Sequence, residues 1–433
     1  MKQVNGCDLI KNVCPEEIKL AVDSEISFCA CVHSIRSGNG FSFVYLRTGR
    51  YVFQGIYSDK LCVKPISELC VGAYVRLNAR IKEEKRADFG FEAEILDFEI
   101  LSRPESEYPL PIDDKNCNFS LEANLENRCC ALRHPKERAT FRITEGIVQG
   151  FQQFLQSEGF TQVFTPSLAK NLSEYDKIAL RVKYFDGECL LAQSPQLYKQ
   201  ACVAFFDRVF EVGHSYCGKR RNSTRHLNEF VSLDFEMAYV RSLDDIMNMQ
   251  TAILKSVCGY LQNYKHEFDL LGVSLPCIKS IPTITFLDAI KLLNKASQNS
   301  LEPYDEQKLC EYAKEKEDSD FIFVTHLPSE KQPFYMKNCE TDANLTETFC
   351  LLYKGVEIAS GGVRIHSYTE QIAKMKSMEM DCDEYSEFLS LHKYGMPPHG
   401  GCGMGLERFA MKLIDLENIR YASLFPRDIH SFD

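Results

Sequence analysis

The stretch EVGHSYCGKRR, Glu211 to Arg221, holds Gly213, Gly218 and Lys219 in the G-x-x-x-x-G-K spacing of a phosphate-cradling P-loop, but Arg220 stands where a Ser or Thr must hold magnesium. A P-loop also needs a helix directly after it, because the helix N-terminus completes the cradle. The residues that follow, FVSLDFEMAYV, alternate strictly instead, with Val231, Leu233, Phe235, Met237 and Tyr239 on one face and Asp234 and Glu236 on the other. Strand, loop, strand predicts a hairpin, so the spacing match is coincidental. The two carboxylates on one side of a strand form either a solvated face or a pocket wall for an ammonium group or a metal.

Two other segments carry groups of the kind a pocket needs. In YKGVEIASGGVRIH, Val356 and Ile358 flank Glu357 on the opposite face, and small residues lead to Arg364, whose fork suits a carboxylate. In PPHGGCGMGLERFAMKLIDL a glycine-rich turn is expected to enter a helix with Leu406, Phe409, Ala410 and Leu413 toward the core, leaving Arg408 in its first turns beside a possible phosphate site. As a dinucleotide fingerprint this fails, since Leu406 takes the place of the third glycine.

The elements that must position these groups fall into two kinds. From 23 to 103, period-2 patterns in EISFCACVH, FSFVYLR, YVFQGIY, AYVRLNARI and FGFEAEI predict five strands of a small barrel. Phe41, Phe43, Tyr45 and Phe53 interleave with Arg36, Arg47, Arg50, Arg76 and Arg80, a mixture that serves single-stranded RNA when it lies on the surface and core packing when it does not. Residues 1–22 are expected to form an N-terminal helical segment. The prolines and acids of SRPESEYPLPIDDKN mark a linker over 104–134. From 135 to 433, helices alternate with strands as in a large α+β domain. The first helix carries Phe141, Ile147, Phe151 and Phe154 or Leu155 on one face and runs toward a strand ending near Pro166; a second covers about Leu243 to Tyr264.

With 433 residues and 45% hydrophobic content, the chain can build two or three packed domains. No apolar run is long enough to span a membrane, and the N-terminal residues lack a signal-peptide block, which predicts a cytoplasmic protein. The 19 cysteines are scattered and never spaced C-x-x-C, so they read as reduced, mostly core-filling thiols. A net charge of -11 argues against bulk electrostatic binding of nucleic acid but leaves room for a local basic face.

Taken together, FTQVFTP, AQSPQLYKQ, TRHLNEFVSLDFEMAY, VEIASGGVRIH and GGCGMGLERFAMKLIDLENIRYASLFPRD resemble a class II (subclass IIb) aminoacyl-tRNA synthetase, closest to the aspartyl enzymes of archaeal and eukaryotic type, over nearly the whole chain. The resemblance implies an α+β fold, with an anticodon-binding OB-fold barrel and a catalytic antiparallel sheet flanked by helices. It implies a homodimer with Pro166 at its first motif, and an aspartate–tRNA ligase that uses ATP as substrate and Mg2+ to make aspartyl-adenylate and then charges tRNA(Asp). Chemistry of this kind rests on positioning and on charge stabilisation at the phosphate.

Matched by position, the resemblance gives L-aspartate to Glu174, Gln196, Lys199, Asp234, Ser360 and Arg364, with Lys199 and Arg364 on the side-chain carboxylate. Two cations there favour aspartate over asparagine, whose amide would leave buried charge uncompensated. Glu357 and Ser360 correspond to magnesium ligands. Phe230 would stack on adenine, while Arg225, His226, Leu227 and Gly405 would line the ATP site and Arg408 would meet the γ-phosphate. Arg408, Arg364 and Lys199 are the expected catalytic groups, and Arg36, Phe43 and Gln54 match anticodon-reading positions.

The hairpin departs from this family. Where Phe-Arg-x-Glu is expected, the chain reads Tyr216, Cys217, Gly218 and Lys219, so the ATP-site positions Cys217 and Lys219 have lost the arginine that clamps the α-phosphate and its glutamate. Lys219, Arg220 and Arg221 are the nearest replacements. Tyr175 and Asp176 replace a glycine pair in a closing loop, and Ala131 replaces an aspartate. Two readings follow: an active aspartate–tRNA ligase with a rearranged clamp, or a synthetase-like paralogue that binds tRNA or nucleotide without efficient ligation.

Overall fold

The period-2 segments near the N-terminus form the strands they predict. In the computed structural model, which describes residues 2–3, 14–114, 116–117, 119–173, 178–295 and 299–430, the chain divides into two units, Met1–Ala139 and Thr140–Asp433. The first contains β1 (Lys2–Gln3), β2 (Glu25–Ser37), β3 (Ser42–Arg47), β4 (Val52–Tyr57), β5 (Tyr74–Glu83) and β6 (Phe91–Ser102). The order is β1-β2-β3-β4-β6-β5, and β5 pairs back onto β2, which closes a five-stranded OB-type barrel with β1 as a short parallel addition to β2. Ile26, Phe28, Ala30 and Val32 point into its core with Val44, Leu46, Val75, Leu77 and Ile95. Of the expected N-terminal helical segment, Pro15–Lys19 is helical and Lys2–Gln3 is strand, while 4–13 lie outside the described residues.

Several aromatic and basic candidates of the barrel belong elsewhere. Phe53 is buried between Phe28 and Phe91 in the core. Arg76 and Arg80 form ion pairs with Glu99 and Glu25, each at 2.7 Å. Arg47 is buried, with Nη2 donating to Cys31 Sγ. The stretch expected as a linker also holds helices, Leu121–Glu126 and Arg128–Ala131, the second tied by a part-buried ion pair of 3.0 Å between Arg128 and Glu137.

The second unit is built on an eight-stranded sheet. Its strands are β7 (Thr161–Gln162), β11 (Arg208–Tyr216), β12 (Glu229–Ala238), β13 (Thr283–Thr285), β14 (Phe321–Thr325), β15 (Thr348–Tyr353), β16 (Val356–Val363) and β17 (His399–Gly405); β8 (Leu168–Ala169), β9 (Arg181–Tyr184) and β10 (Gly187–Leu191) make a separate three-stranded sheet. The large sheet runs β13-β14-β15-β16-β17-β12-β11-β7, antiparallel except at its two edge pairings. One face packs on helices Pro135–Ser157 and Leu243–Tyr260. The first helix presents Ile143, Ile147, Phe151 and Leu155, a strict i, i+4 row; Phe141 and Phe154 are only partly covered. The second ends at Tyr260 and tightens into a 3-10 turn through Tyr264. The expected strand before Pro166 is reduced to the two residues of β7.

The hairpin is formed by β11 and β12, in register from Arg208↔Met237 to Tyr216↔Glu229. Strand β12 stops at Ala238, because Tyr239 turns to φ 61° and is 69% exposed rather than sharing the apolar face. The glycine-rich HGGCGMG is not a turn but the central strand β17, between β12 and β16. Cys402 and Met404 supply its core face, while a Cβ at Gly401 would collide with the Phe235 carbonyl and the Glu236 carboxylate. Glycine there lets three strands approach beneath the pocket floor.

Candidate active site

On the face of the sheet turned away from those long helices, β12 presents Ser232, Asp234 and Glu236 beneath helix Gln196–Phe206. The helix buries Gln196, Lys199, Gln200 and Val203 in the i, i+3, i+4, i+7 row of one helical face. Lys199 Nζ donates to Asp234 Oδ1 at 2.6 Å and lies 3.6 Å from Glu236 Oε2. Arg364, just beyond β16, forks onto Glu236 through Nε (2.8 Å) and Nη2 (3.2 Å), and Nη2 also reaches Gln196 Oε1 (3.2 Å) and Gly401 O (3.1 Å). All four charged groups are at most 2% exposed.

Two cations and two carboxylates make this buried quartet neutral, which is what allows it to leave water. Burial pushes Glu236 upward, but Arg364 and then Lys199 outweigh it and hold the carboxyl below its ordinary range. Asp234 Oδ2 is buried with no hydrogen-bond partner, an acceptor left over in the pocket wall. Of the two openings the sequence left for this face, the structure therefore has the pocket wall, with an ammonium already on it.

Three members of the quartet, Lys199, Asp234 and Arg364, line a cavity of about 350 Å3 whose lining also includes Gln196, Cys217, Lys219, Arg225, His226, Leu227, Phe230, Glu357, Ser360, Gly405 and Arg408. The loop between β11 and β12 is tied by Cys217 N donating to Asn228 O (2.8 Å) and Asn228 Nδ2 donating to Cys217 O (2.6 Å) and Lys219 O (3.0 Å). Arg408, in helix Leu406–Leu413, donates to Arg225 O (3.2 Å) and Glu357 O (3.0 Å). Arg225 itself pairs with Glu306 at 2.7 Å. Burial, then Arg408, Arg221, Arg225 and Lys219, press His226 down to about 3. The ring is therefore neutral: Nδ1–H donates to Ser223 Oγ and Nε2 accepts from Arg221 Nη1.

Glu357 and Ser360 stand three apart, which in a regular strand would put them on opposite faces. The register shifts here, Leu351 pairing with Ala359 and Leu352 with Glu357. This bulge turns both Ile358 and Ala359 into the core, so that Glu357 and Ser360 face the cavity together. Burial and the nearby Glu357 carboxylate push Glu306 up to about 7.

Glu174 falls outside the described residues, with the altered Tyr175 and Asp176. Among the proposed clamp replacements, Lys219 and Arg221 line the cavity, whereas Arg220 is exposed and does not. Lys219 also lines an adjoining hollow of about 950 Å3 bounded by Lys374, Asn338 and Tyr385. Arg36, Phe43 and Gln54 belong to the barrel of the first unit. Arg36 pairs across strands with Phe43, its guanidinium 5.2 Å from the Tyr45 ring centre, and Tyr45 pairs with Gln54.

Sequence reasoning left Glu407, Ser215 and Glu306 without roles, and took Glu236 only as a possible pocket wall beside Asp234. Glu236 is the hub that Arg364 and Gln196 share, and its spacing from Asp234 was the available signal. Glu407, pushed up to about 7 by burial, accepts the Val231 N–H at 3.1 Å and so ties helix Leu406–Leu413 to β12. Ser215 Oγ is buried without a partner on the cavity wall. Glu306 enters from helix Pro303–Glu317, far along the chain, with no local signature.

Comparison with known proteins places this geometry. Residues 120–429 match the family described as tRNA synthetases class II (D, K and N). The chain is 35% identical over 411 residues to the aspartate–tRNA(Asp/Asn) ligase of Deinococcus radiodurans, spanning 92% of this chain and 93% of that protein. It is 34% identical over 420 residues to the enzyme of the same name from Thermus thermophilus, spanning 96% and 98%. Among solved structures, asparaginyl-tRNA synthetase from Pyrococcus horikoshii complexed with asparaginyl-adenylate superposes with a TM-score of 0.89 at 25% identity, over 98% of this chain and 99% of that one. A family match over most of the chain, the antiparallel sheet and the cavity on its open face agree: the chain belongs to the class II tRNA synthetases of the D, K and N group.

Proposed function

We propose that this protein is an aspartate–tRNA ligase. The observation that carries the reading is one cavity lined both by Lys199, Asp234 and Arg364 of the neutral quartet and by Lys219, Arg221, Arg225 and Arg408. An amino acid with a side-chain carboxylate fits the first set and a triphosphate fits the second. The unpaired Asp234 Oδ2 is placed to accept from the substrate ammonium, while Lys199 and Arg364 supply donors for its side-chain carboxylate. Asparagine in the same position would leave those donors facing an amide NH2, a costly mismatch in a dry site.

The substrate α-carboxylate attacks the α-phosphorus of ATP and pyrophosphate leaves; a ribose hydroxyl of the tRNA end then attacks the activated carbonyl and AMP leaves. No side chain forms a covalent bond. Phe230 offers its half-buried ring to adenine, and Arg408, held by two backbone carbonyls, aims its charge at the terminal phosphate. Glu357 and Ser360 are oxygen donors on one face of the cavity, with the Glu306 carboxyl, raised first by burial and then by Glu357, close by, so they fit Mg2+. When bound, Mg2+ neutralises charge on the phosphates. The hollow beyond Lys219 leaves room for the tRNA end. In the barrel, Arg36, Phe43 and Gln54 are candidates for anticodon reading. Phe164, 82% exposed, and its exposed neighbour Pro166 supply an apolar surface for a homodimer. No helix among the described residues is long and apolar enough to cross a membrane, and the proposed compartment is the cytoplasm.

A second reading is favoured by one observation. Cys217 occupies the cavity wall where an arginine clamp is expected, and a paralogue that binds without ligating would tolerate it. Aspartate-dependent ATP–pyrophosphate exchange, with and without tRNA, decides between them. Exchange above background supports ligation. Its absence with tRNA binding intact refutes ligation and supports the second reading, and exchange with asparagine alone refutes the substrate assignment.

A further inference from the structure

Away from the cavity, three side chains with metal-binding atoms converge: His326, Cys339 and Glu347 place one ligand atom each within 4.8 Å of the others. His326 follows β14, Glu347 precedes β15, and Cys339 comes from the intervening loop. Their backbones are laced together. His326 N donates to Thr348 O (2.8 Å), Cys339 N to Leu345 O (2.9 Å) and Glu347 N to Lys337 O (2.9 Å). Main-chain bonds thus hold in place the three backbones from which these side chains converge.

The hydrogen bonding of the imidazole orients it as in metal sites. Thr325, 2% exposed, has its Oγ1 2.9 Å from His326 Nδ1, while the same hydroxyl reaches Ile284 O at 3.5 Å. With the hydroxyl donating to that carbonyl, Nδ1–H donates to the hydroxyl and leaves the Nε2 lone pair facing Glu347 Oε2 at 3.8 Å. A cation held between these two groups, with the Cys339 sulfur beside them, would satisfy both. Cys339 is buried and supplies a sulfur, whereas His326 and Glu347 are half-exposed, so water has access to a fourth position.

We propose that His326, Cys339 and Glu347 bind Zn2+, with water completing a tetrahedron. Nitrogen, sulfur and oxygen donors suit this borderline-soft ion. Bond lengths of about 2.0–2.3 Å put tetrahedral ligands about 3.3–3.8 Å apart, so closure asks for shifts of about 1 Å or less. Binding forms Zn–N, Zn–S and Zn–O bonds and releases the thiol proton to solvent. The ion would fasten the loop that also carries Tyr335 and Met336, and these two pack on Arg364: its Nη1 is 2.8 Å from Met336 Sδ and its guanidinium 5.5 Å from the Tyr335 ring centre. The site is therefore a clip for the wall of the amino-acid pocket, and it stands whether or not the chain ligates aspartate.

The test uses the full chain, stripped with EDTA, dialysed and titrated with Co2+ and then Zn2+. One Co2+ per chain is expected, with a thiolate-to-cobalt absorption band that Zn2+ displaces. Zn2+ should also raise the thermal midpoint by several degrees. Cys339→Ser should abolish the band and the thermal shift, and His326→Ala and Glu347→Gln should each weaken binding tenfold or more. If Cys339→Ser fails to fold, as judged by circular dichroism in EDTA, His326→Ala tests the site in its place, because that ring is half-exposed. Absence of stoichiometric metal overturns the proposal. Binding that survives all three substitutions also overturns it, by assigning the ion to others of the 19 cysteines.

Discussion

The neutral quartet predicts a strongly non-additive mutant cycle. Glu236 is 0% exposed and accepts two hydrogen bonds from Arg364, at 2.8 and 3.2 Å; its other neighbours are Gln196 Nε2 at 3.4 Å and Lys199 Nζ at 3.6 Å, the latter already engaged by Asp234 at 2.6 Å. Arg364→Met leaves that carboxylate with a shared and more distant cation, and should cost about 3–5 kcal/mol, the usual cost of breaking a buried pair. Glu236→Gln strands the guanidinium and should cost a similar amount. In the double variant the Lys199–Asp234 pair is still balanced, and the new methionine meets Met336 and an amide, so the loss should be about 2 kcal/mol or less. The coupling energy is therefore at least about 4 kcal/mol. Guanidinium unfolding followed by far-ultraviolet circular dichroism reads it out, because the long helices lie mainly in the second unit and the chain has no tryptophan to use instead. Additivity within about 0.5 kcal/mol would show that the charges do not compensate one another, and the account of the pocket would fail.

Other consequences follow from single sites. Cys217→Arg should raise pyrophosphate exchange by about 10²–10³-fold, the effect associated with one preorganised donor; no gain would mean that Lys219 or Arg221 already serves as the clamp. His399 is pressed down to about 4, first by burial. Its folded value lies below the unfolded one, so the stability it contributes is complete above about pH 6.5 and is lost as pH falls toward 4, up to about 3 kcal/mol. Thermal midpoints measured across that window should fall less steeply in His399→Gln than in the parent. Gly401→Ala should destabilise by about 3 kcal/mol, the upper end for overpacking, since the added methyl meets main chain on β12; an unchanged melting temperature would contradict the close strand packing. Phe43→Ala should weaken tRNA binding about tenfold while leaving tRNA-independent exchange intact, and parallel losses in both assays would count against a reading role in the barrel.

Elements with a repeating apolar pattern were legible without coordinates. The alternation of Ile26, Phe28, Ala30 and Val32, and of Leu233, Phe235 and Met237, survives into buried faces because one side of each strand packs on a core and the other does not. The i, i+4 row from Ile143 to Leu155 behaves likewise. Site residues were legible where they sit on such patterned elements or match family positions: Lys199, Asp234, Arg364 and Arg408 all reach the same cavity. Strand β17 was read as a turn because glycine has no side chain to carry periodicity, and only its place between β12 and β16 explains why glycine is needed there. The bulge that brings Glu357 and Ser360 to one face depends on register with β15, which no local window contains. The same holds for Glu236 as the partner of Arg364, for Glu306 beside Arg225, and for the convergence of His326, Cys339 and Glu347. Local propensity and patterning decide which segments become strands and helices. Which charges are neutralised depends on contacts between residues distant in the chain, and these exist only once the sheet has closed its register.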